Sequence, residues 1–252
     1  MKTVIIIPAR YDSTRLPGKP LLRETGKYLI QHVYERALLA RRAGAVLVAT
    51  DDQRIADAVR SFGGQAVLTR REHASGTDRV AEVAAGLDAD VIINLQGDEP
   101  LIDPDALDYV ADLLARHRAA CVATLAAPIT SADEWRDPNC VKVVLGDAGQ
   151  ALYFSRSPVP YVRDGEPDFH RPGLQFLRHL GLYAYRRDFL LQLAATPPAP
   201  IEQLEKLEQL RVLALGQRIQ VGIVREPTLG IDTWEDYHRF VALVREQPRS
   251  AA

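Results

Sequence analysis

Short apolar runs alternate with longer amphipathic stretches through the first half of this 252-residue chain, and this alternation limits the choice of folds more than any other feature. The run "TVIIIPA" at 3–9 is almost uninterrupted, which is typical of a strand buried on both faces. Strands separated by helices indicate a parallel sheet, because parallel neighbours need a crossover connection. We therefore predict strands over 3–9, 45–52, 65–70 and 90–100.

The stretches between these strands have the spacing of amphipathic helices. We predict helices over 29–44, 53–64 and 77–87, and a fourth from Asp103 or Pro104 to about residue 118. Gly44 is expected to end the first helix, and Thr77 to be the N-cap of the third. The chain is thus predicted to form an α/β fold with a doubly wound, mostly parallel, Rossmann-like sheet. Functional loops then belong at the carboxyl ends of the strands, at 9–19, 71–79 and 96–100.

The second half of the chain changes character. We predict strands over 119–129, 177–187 and 219–224, a hairpin over 140–156, and helices over 187–196, 201–216 and 232–247. The hairpin is indicated by the turn sequence "GDAG" between two apolar runs. Residues 157–176 are rich in Pro, Gly and charge, and are expected to form a long irregular segment of functional or interface importance.

The charge balance argues against polyanionic partners. The chain has 31 basic and 33 acidic residues and a net charge of −2, so no global basic field favours nucleic acid or an anionic membrane. Cys121 and Cys140 lack metal-ligand spacing and suggest reduced thiols. The apolar run at the start is too short for a signal peptide, and no stretch approaches the roughly 18 apolar residues of a membrane span. We expect a cytoplasmic, soluble protein.

Three cations follow the first strand on a loop stiffened by prolines: Arg10, Arg15 and Lys19. The chain has no G-x-x-x-x-G-K-[ST] loop and no G-x-G-x-x-G after this strand, so the common glycine-rich phosphate cradles are missing. One interpretation is that these side chains bind phosphates directly. The other is that they are ordinary solvated charges beside a turn.

Carboxylates follow two other predicted strands. Asp98 comes after "VIINLQG", and Asp232 comes after "IQVGIV". If they face each other they could bind a divalent cation, but Asp98 could equally be a turn or capping acid and Asp232 the N-cap of the last helix. His179 could be a structural imidazole, and Glu205 and Glu208 are expected to be solvent-exposed. These residues alone indicate a Mg²⁺-dependent nucleotide-binding enzyme.

Together the segments resemble the 3-deoxy-manno-octulosonate cytidylyltransferases, also called CMP-KDO synthetases. The matching segments are "IIIPARYDSTRLPGKPL", "VATDD", "TRREHASGTDR", "INLQGDEP", "DPNCVKVVL", "ALYFSRSPVPY", "LRHLGLYAYRRDFL", "LEKLEQLRVL" and "GIDTWED". They occur in the family's order and extend from residue 4 to about residue 240. The first and fourth are shared in looser form by other sugar nucleotidyltransferases, whereas "YFSR", "RHLG" and "LEQLR" are more specific.

The resemblance implies an enzyme that transfers CMP from CTP to the sugar acid KDO, releasing pyrophosphate and activating KDO for lipopolysaccharide biosynthesis. It implies a fold of the nucleotide-diphospho-sugar transferase type in one domain, residues 1–252, with a smaller sugar-binding and dimerisation lobe at about 125–190. It also implies a homodimer. Two alternatives stay open: activation of a related acid sugar, such as 8-amino-KDO or sialic acid, and a catalytically silent nucleotide-binding module.

Site residues are carried over from the same resemblance. The catalytic set would be Arg10, Lys19, Asp98 and Asp232, with Mg²⁺ on the two aspartates. The nucleotide would contact Ala9, Arg10, Arg15, Lys19, Ser75, Gly76, Arg79, Gln96 and Asp98. The sugar acid would contact Arg156, His179, Tyr183, Glu208 and Gln209.

Overall fold

The computed structural model of the chain describes residues 1–12, 16–171, 176–226 and 230–246, and these divide into two units. The first unit holds the described residues of Lys2–Ala89, Asn94–Asp108 and Thr228–Ala252. The second unit holds Met1, Asp90–Ile93 and the described residues of Tyr109–Pro227. The lobe expected at about 125–190 lies inside the range of the second unit and stays a prediction.

The first unit contains a parallel sheet with strand order β3-β2-β1. Its elements are β1 (Thr3–Ala9), α1 (Leu29–Ala37), β2 (Ala43–Thr50), α2 (Gln53–Ser61), β3 (Ala66–Leu68), α3 (Gly76–Ala85) and the last helix, α9 (Trp234–Glu246). The isoleucines of β1, at 5–7, are completely buried. This burial explains the uninterrupted apolar run, because both faces of a parallel strand are covered.

The second unit contains a mixed sheet. It comprises β5 (Ala120–Pro128), α5 (Ala132–Arg136), β6 (Lys142–Leu145), β7 (Ala151–Ser155), β8 (Leu177–Arg186), α6 (Arg187–Ala194), α7 (Pro200–Glu205), α8 (Gln209–Ala214) and β9 (Arg218–Ile223). The strand β4 (Val91–Asn94) and the helix α4 (Pro104–Arg116) include residues of both units. The strand order is β4-β8-β5-β9, with β5 antiparallel to β8 and parallel to β9. The expected hairpin is formed by β6 and β7.

The predicted fold class is confirmed: the chain has a mixed α/β fold whose central sheet is mostly parallel. No helix in the described ranges has both the length and the apolar character needed to cross a membrane. The described part of 157–176 is irregular, as expected, while the short helix α5 was not predicted.

Three local predictions were wrong. Gly44 does not end the first helix, because α1 stops at Ala37 and Gly44 already lies in β2. The N-cap of α3 is Ser75 instead of Thr77, and its hydroxyl accepts a hydrogen bond from the Asp78 amide. The helix predicted over 201–216 is two helices, because Lys206 adopts a left-handed backbone conformation with φ of 54° and ends α7.

An apolar cluster in the first unit joins the loop after β1 to the last helix. Its buried members are Leu16, Leu29, Ile231, Tyr237, Phe240 and Val241. Leu16 lies three residues before Lys19, and Ile231 immediately precedes Asp232. Burial of these two apolar neighbours therefore brings the segments that carry Lys19 and Asp232 into one core.

Gly97 allows the chain after β4 to pass close to β1. A Cβ atom on Gly97 would lie 2.9 Å from the Pro8 carbonyl oxygen, a distance that requires the backbone to shift. We expect Gly97→Ala to lower the free energy of unfolding by about 1–3 kcal/mol, as other overpacking substitutions do. Urea unfolding measures this loss.

Gly44→Ala is the matched control, because its added Cβ would meet only the Thr3 carbonyl oxygen at 3.8 Å. Its free energy of unfolding should stay within about 0.5 kcal/mol of wild type. Equal urea midpoints for Gly97→Ala and wild type would contradict the steric argument.

Candidate functional site

The loop after β1 is closed by its own backbone and braced by a stacked pair. The Gly18 amide donates to the Tyr11 carbonyl at 3.1 Å, and Gly18 has a positive φ of 65°. The Arg54 guanidinium lies 3.4 Å from the centroid of the Tyr11 ring, and it also donates to Asp52. These hydrogen bonds from Arg54 lower the pKa of the Asp52 carboxyl. Arg10 lies at the start of this loop and is exposed.

Lys19 connects three points of the first unit. Its Nζ donates to Asp98 Oδ2 at 2.7 Å and to the Ile231 carbonyl oxygen at 2.7 Å. The same nitrogen lies 3.8 Å from Asp232 Oδ1. Only 15% of the Lys19 side chain is exposed, so water screens this charge incompletely. One ammonium group therefore lies between the two carboxylates that the sequence selected.

A backbone hydrogen bond fixes the spacing of these carboxylates. The Ile231 amide donates to the Asp98 carbonyl at 2.8 Å. Asp98 and Asp232 would repel each other as like charges, and the Lys19 ammonium between them offsets that repulsion. The arrangement is a pair of carboxylates beside one cation.

The N-cap of α9 is not Asp232. The helix begins at Trp234, and the Thr233 hydroxyl accepts from the Asp236 amide at 3.2 Å. The Asp236 carboxylate in turn accepts from the Thr233 amide at 2.9 Å, which completes a capping box. Thr233 and Asp236 thus take the capping role that was considered for Asp232. Asp232 instead lies beside Lys19.

Four of the expected nucleotide contacts lie on strand ends or helix starts of the first unit. Ala9 ends β1 and is buried, and Gln96 follows β4. Ser75 and Gly76 begin α3, where a Cβ on Gly76 would lie 3.5 Å from the Pro8 ring. Arg15 lies outside the described residues.

Arg79 is buried in a network that the sequence did not indicate. Its guanidinium forms an ion pair with Asp51 at 3.1 Å and hydrogen bonds to the Thr69 hydroxyl and the Arg70 carbonyl. Arg79 is 5% exposed. These contacts tie α3 to the residues that follow β2 and β3, so Arg79 supports the helix that begins with Ser75.

Aromatic and hydroxyl groups enclose the imidazole of His179 in the second unit. Its Nε2 lies 3.0 Å from the Thr124 hydroxyl, and the Phe154 ring packs edge-on at a centroid distance of 5.0 Å. The Tyr183 ring lies 5.3 Å away. Although the residue keeps some accessible surface, burial of the ring lowers the pKa of His179 to about 3, so the imidazole is neutral.

Tyr183 and Glu208 continue this group. Burial raises the pKa of the Tyr183 hydroxyl, and the neighbouring Tyr185 and Glu208 raise it further. Glu208 is the N-cap residue of α8, and Gln209 is its first residue. Gln209 is 5% exposed, and its Nε2 has no hydrogen-bond partner within the part of the chain that the structure describes. Buried amide donors are usually hydrogen-bonded, and either a water molecule or a ligand can supply the acceptor for this one.

Arg156 is held by backbone and carboxylate oxygens. Its Nε donates to the Glu205 carbonyl at 2.7 Å and its Nη1 to the Pro138 carbonyl at 2.9 Å. Its own amide donates to Glu205 Oε2 at 2.9 Å. The expectation that Glu205 is a solvated surface charge was wrong, because the chain turns at Lys206 and directs this carboxylate toward β7.

The sequence did not indicate that Glu205 and Lys142 hold Arg156. Lys142 is completely buried, and its Nζ donates to three backbone carbonyls, those of Asp137, Cys140 and Arg156. Burial lowers the pKa of its ammonium. A lysine within the apolar run "CVKVVL" was the available signal, because a charge at a strand position needs buried partners.

Sequence comparison relates this chain to known cytidylyltransferases. The sequence model of a family described as "Cytidylyltransferase" matches residues 4–219. The 3-deoxy-manno-octulosonate cytidylyltransferase of Syntrophotalea carbinolica is 49% identical over 248 residues, covering 97% of this chain and 99% of that protein. The enzyme of the same name from Thioalkalivibrio sulfidiphilus is 51% identical over 250 residues, covering 97% and 100%.

Solved structures show the same relationship. A CMP:2-keto-3-deoxy-manno-octonic acid synthetase complexed with CTP has a TM-score of 0.92 and 47% identity, covering 98% of this chain and all of that one. A 4-diphosphocytidyl-2C-methyl-D-erythritol synthase from Anaerococcus prevotii has a TM-score of 0.63 at 11% identity, covering 97% and 99%. The second likeness is one of fold alone.

The neutral imidazole of His179 makes stability depend on pH. The unfolded state takes up a proton below about pH 6.5, whereas the folded state does so only near about pH 3, so stability is complete above pH 6.5 and declines as the pH falls between these values. Between about pH 7.5 and about pH 5, wild type should lose about 2 kcal/mol of unfolding free energy relative to His179→Gln. Urea unfolding of both proteins at each pH measures the difference. A difference that does not vary with pH would contradict the burial argument.

Proposed function

This chain belongs to the 3-deoxy-manno-octulosonate cytidylyltransferase family, and we propose that it transfers CMP from CTP to 3-deoxy-D-manno-octulosonate (KDO), releasing pyrophosphate. The observation that carries this proposal is the convergence of Lys19, Asp98 and Asp232, in a chain 47% identical to a synthetase solved with CTP. The residues expected to bind the nucleotide belong to the first unit, and those expected to bind the sugar acid belong to the second.

The reaction joins two anions, so charge neutralisation and alignment are its main demands. The anomeric hydroxyl oxygen of KDO forms a bond to the α-phosphorus of CTP, the bond from that phosphorus to the oxygen bridging to the β-phosphate breaks, and the hydroxyl proton is released to solvent. Arg10 and Lys19 bind the phosphates and stabilise the negative charge that collects on the departing pyrophosphate. No covalent enzyme intermediate is required.

The sugar acid presents a carboxylate and several hydroxyl groups. Arg156 Nη2 has no hydrogen-bond partner in the described part of the chain, while Nε and Nη1 are fixed by carbonyl oxygens. This guanidinium edge can donate to the KDO carboxylate. The buried Gln209 amide donor can bind a sugar hydroxyl, and the group of His179, Tyr183 and Glu208 supplies further polar atoms.

Asp98 and Asp232 are suitable ligands for Mg²⁺. Mg²⁺ in nucleotide enzymes binds through one or two carboxylates together with substrate phosphates, and these two carboxylates already share one cationic partner. When bound there, Mg²⁺ would supply Lewis-acid activation of the attacking hydroxyl and positive charge for the phosphates. In the described ranges no group of three or more His, Cys, Asp or Glu side chains could hold a metal.

The decisive assay measures pyrophosphate release by the purified protein from CTP in the presence of KDO and Mg²⁺. We expect release only when all three are present, and loss of activity when Mg²⁺ is chelated. Parallel reactions with the other nucleoside triphosphates, 8-amino-KDO and sialic acid define the specificity. These other sugars are disfavoured, since the relatives reported above carry the KDO name. No pyrophosphate with CTP and KDO would refute the proposed function.

Asp98→Asn should lower kcat at least about 100-fold, because the substitution removes one charge of the carboxylate pair. Asp105→Asn is the control, since the Asp105 side chain forms an exposed ion pair with Arg41. Its kcat should remain within about twofold of wild type. Near-normal turnover of Asp98→Asn would remove Asp98 from the catalytic and metal-binding roles.

We also propose that the protein is a cytoplasmic homodimer and that its product serves lipopolysaccharide biosynthesis. The support for the dimer is the exposure of two apolar side chains in the expected contact region, Leu152 at 56% and Tyr161 at 82%. Light scattering coupled to size-exclusion chromatography measures the mass of the particle. A mass of one chain, 27.9 kDa, would exclude the homodimer.

A further inference from the structure

We propose that Glu205 is a positioning residue of the sugar-acid site. It holds Arg156 in place and fixes the point where α7 ends. The inference rests on the proposed function, because it assigns Arg156 to the KDO carboxylate. Glu205 itself does not need to contact the substrate. Its role follows from the groups it binds and from its place in the chain.

Both oxygens of the Glu205 carboxylate are bonded to the end of β7. Oε1 accepts from the Ser155 hydroxyl at 2.7 Å, and Oε2 accepts from the Arg156 amide at 2.9 Å. The Glu205 main-chain carbonyl accepts from Arg156 Nε at 2.7 Å. Glu205 therefore determines both the backbone position of Arg156 and the direction of its guanidinium group.

Lys142 holds the other end of the same residue. Its completely buried ammonium donates to the Arg156 carbonyl oxygen at 2.7 Å. Arg156 is thus bonded at its amide, its carbonyl and its side chain before any substrate arrives. A guanidinium fixed in this way loses little conformational entropy on binding a carboxylate.

Glu205 also connects Arg156 to the residues at the start of α8 that are proposed to bind the sugar acid. It is the last residue of α7, and Lys206 follows in a left-handed conformation that costs a non-glycine residue about 1 kcal/mol. Two residues later the chain reaches Glu208 and Gln209 at the start of α8. Because the hydrogen bonds of Glu205 hold the chain where it turns, one carboxylate places Arg156 relative to Glu208 and Gln209.

Two substitutions of Glu205 separate the effect of side-chain length from the effect of charge. In Glu205→Gln the amide oxygen can accept from the Arg156 amide while the introduced NH₂ group donates to the Ser155 hydroxyl, which can turn to accept it. Glu205→Asp keeps the charge but withdraws the carboxylate by one methylene. If placement is the role of Glu205, the Gln variant should work well and the Asp variant should not.

A residue in the same helix provides the matched control. Glu202 is a buried carboxylate of α7, whereas Glu205 is partly buried, and Glu202 accepts from Arg211 and from the Ala199 amide. Glu202→Asp therefore makes the same chemical change on the same helix, away from Arg156. Its thermal unfolding midpoint reports any general loosening of α7.

Steady-state kinetics with CTP and KDO tests the functional part. We expect Glu205→Asp to raise the KM for KDO at least about tenfold while the KM for CTP stays within about twofold, and Glu205→Gln to stay within about threefold for both. Glu202→Asp should leave the KM for KDO within about twofold even if its unfolding midpoint falls further. An unchanged KM for KDO in Glu205→Asp, or an equal rise in Glu202→Asp, would overturn the inference.

Hydrogen exchange tests the positioning without any substrate. The Arg156 backbone amide should exchange at least about tenfold faster in Glu205→Asp than in wild type or in Glu202→Asp. Unchanged exchange would show that Glu205 does not hold Arg156 and would overturn the inference by itself. An inactive wild type would instead refute the proposed function, and with it the sugar role of Glu205, while the exchange rates still report on the hydrogen bonds.

Discussion

The hydrogen bonds and ion pairs of the Lys19 ammonium group hold together the strand ends of the first unit at the candidate site. It lies within hydrogen-bond distance of the Asp98 carboxylate and the Ile231 carbonyl, and close to the Asp232 carboxylate. Two carboxylates held near one another are unfavourable unless a cation compensates them, and this compensation is stronger where exposure to water is low. The loop after β1, the end of β4 and the start of α9 are therefore electrostatically coupled.

The second unit also holds its cations by hydrogen bonds, here to carbonyl oxygens. The Arg156 guanidinium donates to the Glu205 and Pro138 carbonyls, while the Arg156 backbone amide donates to the Glu205 carboxylate. The buried Lys142 ammonium donates to backbone carbonyls, among them that of Arg156. Lys19 and Arg156, both proposed to meet an anionic substrate, are each held by hydrogen bonds within the protein. Fixed dipoles and charges need little reorganisation during a reaction, which suits a transfer between two anions.

Elements with a strong local pattern were predictable from sequence. The buried strand at 3–9 and the hairpin around "GDAG" were both found as expected, because their signals come from burial and turn chemistry within a few residues. The exact start of α3 was not predictable, since Ser75 and Thr77 are both good N-caps and the choice depends on packing. The break at Lys206 was hidden for a similar reason: the helical spacing of 201–216 continues through it.

The sequence by itself determined the fold class, the strands that carry functional loops and the residue types that could bind phosphate, metal and carboxylate. Only the tertiary structure decided which charges have partners. It placed Asp98 and Asp232 beside one lysine, paired Arg79 with Asp51, and turned Glu205 toward Arg156. The physical reason is the sequence separation of the residues that interact. Helix and strand patterns depend on neighbours within a turn or two of chain, whereas the partner of a buried charge comes from segments far apart in sequence that meet only when the core forms.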